Sequence, residues 1–184
     1  EQFWILHAVL FGMFLMLLPV TKLKHMVTSP VNIAMTERER PEGALRDMGN
    51  LLEDDVDTIG TRMLSDYEWK AIFDTQSCTE CGRCTSVCPA QAAGKKLDPR
   101  KIILDIAQAT LAGEDVMELI SPEEVWACTT CKACDEICPV NIDIMDKIID
   151  IRRNLMLMDN EFPSELNSAY RGMESASNPW GLAQ

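Results

Sequence analysis

Eight cysteines constrain this 184-residue chain more than any other feature, because they fall into two copies of one spacing. In each copy three cysteines are separated by two residues, and a fourth follows three residues later, directly before a proline: Cys78, Cys81, Cys84 and Cys88, then Cys128, Cys131, Cys134 and Cys138. Three thiolates at this spacing hold three irons of one [4Fe-4S] cubane, and in two-cluster ferredoxins the fourth thiolate reaches the other cluster. The predicted ligation is therefore crossed, with one cluster on Cys78, Cys81, Cys84 and Cys138 and the second on Cys128, Cys131, Cys134 and Cys88.

Two other uses of eight cysteines fit the pattern less well. A secreted disulfide scaffold also has an even cysteine count, but its cysteines are spread along the chain and no long apolar segment precedes them. Structural zinc prefers two separated cysteine pairs that close one tetrahedron. The grouping found here favours iron–sulfur chemistry.

Charge and motif content exclude several classes of function. The formal net charge is −12, whereas a phosphate-binding surface needs an excess of lysine and arginine, so nucleic acid is not an expected partner. The sequence contains neither a Gly-x-Gly-x-x-Gly fingerprint nor a P-loop, which argues against a dinucleotide or nucleoside triphosphate site. Its acidity leaves open ordinary solubility or a docking face for a basic redox partner.

An apolar run near the start predicts one transmembrane helix. Residues 3–18 are apolar except for His7, and a helix continuing to Val27 would cross a bilayer of roughly 30 Å. A signal peptide fits poorly, because Lys22 and Lys24 follow the apolar run instead of preceding it. By the positive-inside rule these lysines place the following domain in the cytoplasm, with the chain anchored in the cell membrane by a single span.

The two histidines of the chain, His7 and His25, both fall on this predicted span. On one continuous helix they would share a face and lie roughly 27 Å apart, one near each membrane surface. Each could then supply one axial ligand to one of two haems b, with the opposite ligands on other membrane helices. The alternative is that His7 makes an interhelical hydrogen bond and His25 is an interfacial cation.

Capping signals predict helices around the cysteine groups. A helix is expected to begin at Ser65 and to carry Trp69, Ile72 and Phe73 on an apolar face. A second begins after Asp98 and ends at Gly113, with its apolar face formed by Ile102, Ile103, Ile106, Ala107 and Leu111. Further helices start at Ser121 and after Pro139, the last with Ile144, Ile148, Ile151 and Leu155 on one face.

The predicted fold is mainly α, with one transmembrane helix followed by an α-helical ferredoxin domain that holds two [4Fe-4S] clusters. We expect four segments: a membrane helix and exit loop, a surface linker that includes an acidic run at residues 53–57, the dicluster domain, and a tail leading to a further domain. Their bounds are 1–35, 36–64, 65–160 and 161–184.

Two stretches resemble known families. ILH near the start and KLKHMVTSPVNI resemble the last helix and exit loop of the haem-b membrane subunit of respiratory nitrate reductase, which implies that His7 and His25 are haem ligands. CTECGRCTSVCPA and WACTTCKACDEICPVNIDIMDKI resemble the cluster domain of heterodisulfide-reductase-like iron–sulfur oxidoreductases. The two resemblances together imply the membrane-bound, haem-fused branch that includes electron-transfer-flavoprotein:menaquinone oxidoreductases.

The function expected from this resemblance is electron transfer between membrane haem and quinone and a cytoplasmic redox partner, with an electron-transfer flavoprotein as the best guess for that partner. No catalytic residue is expected in this chain, because the family's later Cys-Cys-Gly repeats are absent from it. The alternatives are a haem-free iron–sulfur anchor subunit of a separate dehydrogenase or thiol/disulfide reductase, and a structural zinc module.

Overall fold

The computed structural model describes residues 2–37, 40–41, 44–45 and 58–182, and within these ranges the secondary structure is helical, without strands. The expected acidic run at residues 53–57 and most of the expected linker lie outside the described residues. Ten α-helices are described: α1 Gln2–Leu17, α2 His25–Ala34, α3 Trp69–Gln76, α4 Arg83–Val87, α5 Pro89–Ala92, α6 Pro99–Ala112, α7 Pro122–Trp126, α8 Ala133–Glu136, α9 Ile144–Leu157 and α10 Leu166–Ala176. The mainly α fold predicted from the sequence is confirmed.

The apolar segment at the start forms the helix expected there. Together with a 3₁₀ turn at Leu18–Val20, α1 makes a helical stretch of 19 residues with a mean hydropathy of 2.2 and no residue buried in the protein. Length and composition therefore suit it to crossing a membrane.

The expectation that this helix continues to Val27 is wrong. Pro19 lies in the 3₁₀ turn, and the backbone of Thr21 is extended. The Thr21 side chain accepts a hydrogen bond from the Leu23 amide. A second 3₁₀ turn, Lys22–Lys24, then leads into α2. Because the extended residue breaks the helical register, the argument that His7 and His25 share one helix face does not hold.

Pro30 does not end a helix, because it lies inside α2, which runs on to Ala34. Contacts with the rest of the protein explain why the helix continues. The Ser29 hydroxyl donates to the Ser77 carbonyl at 3.2 Å, and the Asn32 amide donates to the Val140 carbonyl at 2.9 Å. These tertiary bonds stabilise a helix that proline weakens on its own.

The helix expected at Ser65 begins four residues later. The Asp66 carboxylate accepts from the Arg62 and Met63 amides and stabilises a 3₁₀ turn at Leu64–Asp66, after which α3 starts at Trp69. Trp69 is expected on the apolar face of this helix, but its side chain is 63% exposed and lies outside the core.

The other capping predictions are confirmed. Asp98 accepts from the Arg100 and Lys101 amides at the start of α6, and Gly113 ends that helix in the left-handed region at φ 72°. Ser121 and Glu124 form a capping box on α7. One expected face residue of α6 is misplaced: Leu111 is 73% exposed, and the buried positions near that end are Ala109 and Thr110.

Isoleucine and leucine side chains of α6 and α9 form the centre of the core. Those that are at most 2% exposed include Ile102, Ile103, Ile106, Ile144, Ile148, Ile151 and Leu155. Apolar residues from the connecting segments and the cysteine loops complete this cluster. The two long helices thereby hold both cysteine loops against one core.

Candidate metal centres

The first cysteine loop leaves α3 at Ser77 and turns through two residues with positive φ, Glu80 at 54° and Gly82 at 76°. The Glu80 amide lies 3.4 Å from the Cys78 sulfur and donates to it. Such amide donors stabilise the negative charge of thiolate ligands.

The second cysteine loop repeats this backbone. Thr130 has φ 55° and Lys132 has φ 60°, and the Thr130 amide donates to the Cys128 sulfur at 3.4 Å. Lys132 therefore occupies the left-handed position that a glycine fills in the first loop.

Each loop is also connected to the first turn of a long helix by the residue after its third cysteine. Thr85 donates to Asp98, the cap of α6. Asp135 accepts from the Ile144 and Met145 amides at 2.8 and 3.0 Å and so caps α9 directly. The similarity of the two cysteine groups thus extends from the spacing to the three-dimensional structure.

Four thiols line a first cavity: Cys78, Cys81, Cys84 and Cys138. Apolar side chains, among them Ile103 and Ile142, complete its wall, and Arg100 and Arg83 also line it. The Ile142 amide donates to the Cys138 sulfur at 3.4 Å.

The remaining four thiols line a second cavity: Cys88, Cys128, Cys131 and Cys134. Leu97, Met145 and Ile148 supply apolar wall, and Lys132 lies at its edge. Each cavity therefore gathers three cysteines of one loop and the last cysteine of the other, the same sets that the spacing predicts.

Burial affects the protonation of some of these thiols. Burial raises the pKa of four of them: Cys78, Cys84, Cys128 and Cys134. At Cys134 the neighbouring Asp135 carboxylate raises the pKa further. Cys81 is exposed, and the slight burial that would raise its pKa is outweighed by hydrogen bonds from the Arg83 amide and the Thr79 side chain, which lower it. Loading of the buried thiols therefore requires a metal that displaces their protons.

The donor sets fit a [4Fe-4S] cluster in each cavity. Four thiolates, amide donors to sulfur and a largely apolar wall are the surroundings that such clusters have in proteins. Within the described residues, no three cysteine, histidine, aspartate or glutamate side chains converge on a position for a single metal ion.

Arg152 on α9 supports the second loop, a role that no local sequence pattern indicates. Its guanidinium donates to the Val125 and Cys128 carbonyls and lies 5.1 Å from the centre of the Trp126 ring. Burial lowers the pKa of Arg152. Because a guanidinium is always charged in proteins, the group is a cation beside the second site.

The two histidines lie on separate helices. His7 lies on α1 and is exposed, whereas His25 is the first residue of α2 and is partly buried. The structure thus assembles the eight predicted cysteines into two sets, but it does not place the histidines on one continuous helix.

Comparison with known proteins agrees with the cysteine geometry. Residues 77–142 match the family described as a 4Fe-4S dicluster domain. The EtfAB:quinone oxidoreductase of Syntrophomonas wolfei subsp. wolfei is 32% identical over 213 residues, which cover 97% of this chain and 29% of that protein. A probable membrane-anchored ferredoxin of Chromohalobacter salexigens is 29% identical over 176 residues, covering 80% of this chain and 26% of that protein.

The ferredoxin-like part also has shorter relatives. One subunit of the ferredoxin/F(420)H(2)-dependent CoB-CoM heterodisulfide reductase of Methanosarcina acetivorans is 38% identical over 99 residues, covering 51% of this chain and 57% of that subunit. The chain spans less than a third of the length of the two longer relatives. Residues 77–142 are thus a 4Fe-4S dicluster domain, preceded by an apolar helix long enough to cross a membrane, and the chain is similar to iron–sulfur oxidoreductases of the EtfAB:quinone and heterodisulfide reductase kinds.

Proposed function

We propose that this chain is the electron-transfer segment of a membrane oxidoreductase that moves electrons between the quinone pool and a cytoplasmic redox partner. The observation that carries this proposal is the pair of four-thiol cavities in one helical body, joined by α2 to an apolar helix long enough to span a membrane. The [4Fe-4S] clusters supply one-electron chemistry when bound.

The ligands in this proposal are crossed. Cys78, Cys81, Cys84 and Cys138 hold the first cluster, and Cys128, Cys131, Cys134 and Cys88 hold the second. The lining of the two cavities supports this assignment. The chain's own contribution is to position the thiolates, donate amide hydrogen bonds to their sulfurs, and exclude water with apolar walls.

The name of a relative supports the proposed partners, and two lysines support the proposed side of the membrane. The name of the Syntrophomonas relative pairs EtfAB with quinone, which favours an electron-transfer flavoprotein as the cytoplasmic partner and a quinone, with menaquinone as the best guess, in the membrane. Lys22 and Lys24, after the apolar stretch, place the dicluster domain on the cytoplasmic side by the positive-inside rule.

The same proposal includes two haems b, with His7 and His25 as one ligand each and the opposite ligands from other membrane helices. An imidazole on an apolar, lipid-length helix is costly without a function, which supports a role for His7. Because the helix is broken between the two histidines, each ligand is presented by its own helix rather than by one shared face.

A second candidate is a haem-free iron–sulfur anchor that serves a separate dehydrogenase or a thiol/disulfide reductase. The similarity to the Methanosarcina heterodisulfide reductase subunit, which covers 51% of this chain, favours this candidate. The dicluster match covers the cysteine region, residues 77–142.

Haem content separates the two candidates. The complete complex is extracted from membranes, and a pyridine haemochrome assay is normalised to non-haem iron. Two haems b per eight cluster irons are expected from the proposed function, with one haem lost in a His7→Ala variant whose cluster signals are intact. Eight cluster irons without haem would favour the anchor.

A further inference from the structure

Two buried polar residues of α2 in the described part of the chain, Ser29 and Asn32, make hydrogen bonds that lead to the first cavity. The Ser29 hydroxyl donates to the Ser77 carbonyl, and the Ser77 hydroxyl donates back to the Thr28 carbonyl at 3.3 Å. The Asn32 side-chain amide donates to the Val140 carbonyl at 2.9 Å. Helix α2 therefore binds two chain segments that are far apart in the sequence.

Both segments belong to the first cavity. Ser77 directly precedes Cys78, and Val140 follows Cys138 by two residues. Cys78, Cys138 and Val140 all line that cavity. Because Ser29 and Asn32 are buried, with Asn32 fully so, these bonds are shielded from water.

A buried charge network strengthens the same contact. The Asn32 side-chain oxygen accepts from the Lys70 ammonium at 2.9 Å, and Lys70 also pairs with Asp74. Asp74 in turn pairs with Lys147 of α9 at 2.8 Å, with side chains 1% and 3% exposed. Helices α2, α3 and α9 are thereby joined by one chain of polar contacts.

The residues of α9 that line the two cavities lie at different angles from Lys147 around the helix axis. Around its axis Ile144, which lines the first cavity, lies roughly 60° from Lys147, at about 100° per residue. Met145 and Ile148, which line the second cavity, lie roughly 160° and 100° from Lys147. Of these three residues, Ile144 of the first cavity thus lies nearest to the network around the axis of α9.

We propose that the first cysteine set, Cys78, Cys81, Cys84 and Cys138, is the membrane-side site and that Ser29 and Asn32 are the residues that position it against the membrane segment. The second set then faces the soluble partner. The electron transfer in this inference rests on the proposed function: each reduced cluster gives up one electron, and two electrons with two protons from water convert a quinone to a quinol.

The position is tested on the complete complex in nanodiscs that contain a Gd³⁺-chelating lipid. Matched variants Cys81→Ser and Cys131→Ser, at equivalent exposed positions of the two loops, assign the electron paramagnetic resonance signal of each cluster. We expect Gd³⁺ to accelerate spin relaxation of the first cluster severalfold more than that of the second. Equal acceleration, or a stronger effect on the second cluster, overturns the inference.

The positioning role is tested in the same discs loaded with menaquinone-4. A light flash in the presence of deazaflavin reduces the clusters. Samples are then frozen at successive times, and their electron paramagnetic resonance signals give the rate of reoxidation by menaquinone-4. We expect Asn32→Ala to slow reoxidation of both clusters by about tenfold or more, because small displacements of reacting groups have large kinetic effects. Thr36→Ala, which removes only a bond to the Asn32 carbonyl, serves as the control.

The outcomes of these measurements are distinct. A control with dithionite checks that both clusters are present in Asn32→Ala, whose spin intensity must equal that of the wild type. If the intensity is lower, Ser29→Ala is used in place of Asn32→Ala. A wild-type rate in Asn32→Ala, or in Ser29→Ala where it replaces that variant, overturns the positioning role. If menaquinone oxidises neither cluster of the wild type while Gd³⁺ still singles out the first, the proposed function fails and the membrane-side position stands.

Discussion

At the scale of single residues, the two cysteine loops differ at one left-handed position, where the first has Gly82 and the second has Lys132. An alanine at residue 82 would meet only the Arg100 guanidinium at 3.8 Å, an ordinary contact, so its cost is conformational. We expect Gly82→Ala to destabilise the protein by about 1 kcal/mol and Lys132→Gly to stabilise it by a similar amount. The rate at which cluster absorbance is lost in guanidinium should change about fivefold in each direction. Lys132→Ala keeps the strain and removes the charge, so a stabilisation equal to that of Lys132→Gly would contradict this explanation.

A second prediction at this scale concerns Asp74. Burial alone would raise its pKa, but Lys147 and Lys70 hold the pKa of that carboxyl below its usual range. Asp74→Asn leaves Lys147 buried without its counter-charge and should cost about 3–5 kcal/mol. Because the folded pKa is depressed, the contribution is present above the unfolded pKa of about 4 and is lost as pH falls through the folded pKa.

Urea unfolding of wild type and variant at several pH values measures this difference, which should shrink below about pH 4. Glu123→Gln is the matched control, because its pair with Lys96 is exposed and should contribute little to stability. A difference between wild type and Asp74→Asn that stays constant down to about pH 2 would rule out the proposed linkage.

At the scale of elements, the segment before α3 approaches the backbone of α9 at Gly60. A Cβ atom there would overlap the Asp150 carbonyl oxygen and lie 2.5 Å from the Asn154 backbone nitrogen. Gly94 has a similar φ of 76° but open space around it. We expect Gly94→Ala to cost about 1 kcal/mol and Gly60→Ala at least about 2 kcal/mol more, measured by the midpoint of guanidinium unfolding. Similar costs for both would mean that the segment withdraws from α9 easily.

The helices themselves show which parts of the fold can be predicted from the sequence. The limits of α6 are predictable because Asp98 and Gly113 act on their own helix ends. The break before α2 is not, because one extended residue, Thr21, decides it and apolar residues continue on both sides. The continuation past Pro30 depends on Asn32 and Val140, 108 positions apart, which no local pattern connects.

The candidate site divides in the same way. The two groups of cysteines could be recognised because their spacing is a local signal. The contacts made by Arg152 could not, since they depend on how α9 packs against the loop at Cys128.

At the scale of the whole molecule, the shared cavities predict how loss of one ligand spreads. Cys88→Ala should abolish the signal of the cluster on the 128–134 loop and spare the other, although Cys88 lies in the first loop. Cys138→Ala should do the reverse. Anaerobic samples reduced with dithionite and examined by low-temperature electron paramagnetic resonance measure both signals. Crossed ligation would be refuted if Cys88→Ala abolished the signal of the cluster on the 78–84 loop and Cys138→Ala abolished that of the cluster on the 128–134 loop.

The exchange of one thiol between the repeats also gives the clusters the role of cross-links. A cluster that joins Cys78 to Cys138 closes a loop of about 60 residues, and a covalent link across such a loop restricts the unfolded chain by about 4 kcal/mol in the entropy model used for disulfides. The second cluster closes a loop from Cys88 that overlaps the first. Oxidative damage to either cluster therefore loosens both halves of the domain, and its consequence in a cell would be turnover of the whole protein rather than loss of a single cofactor.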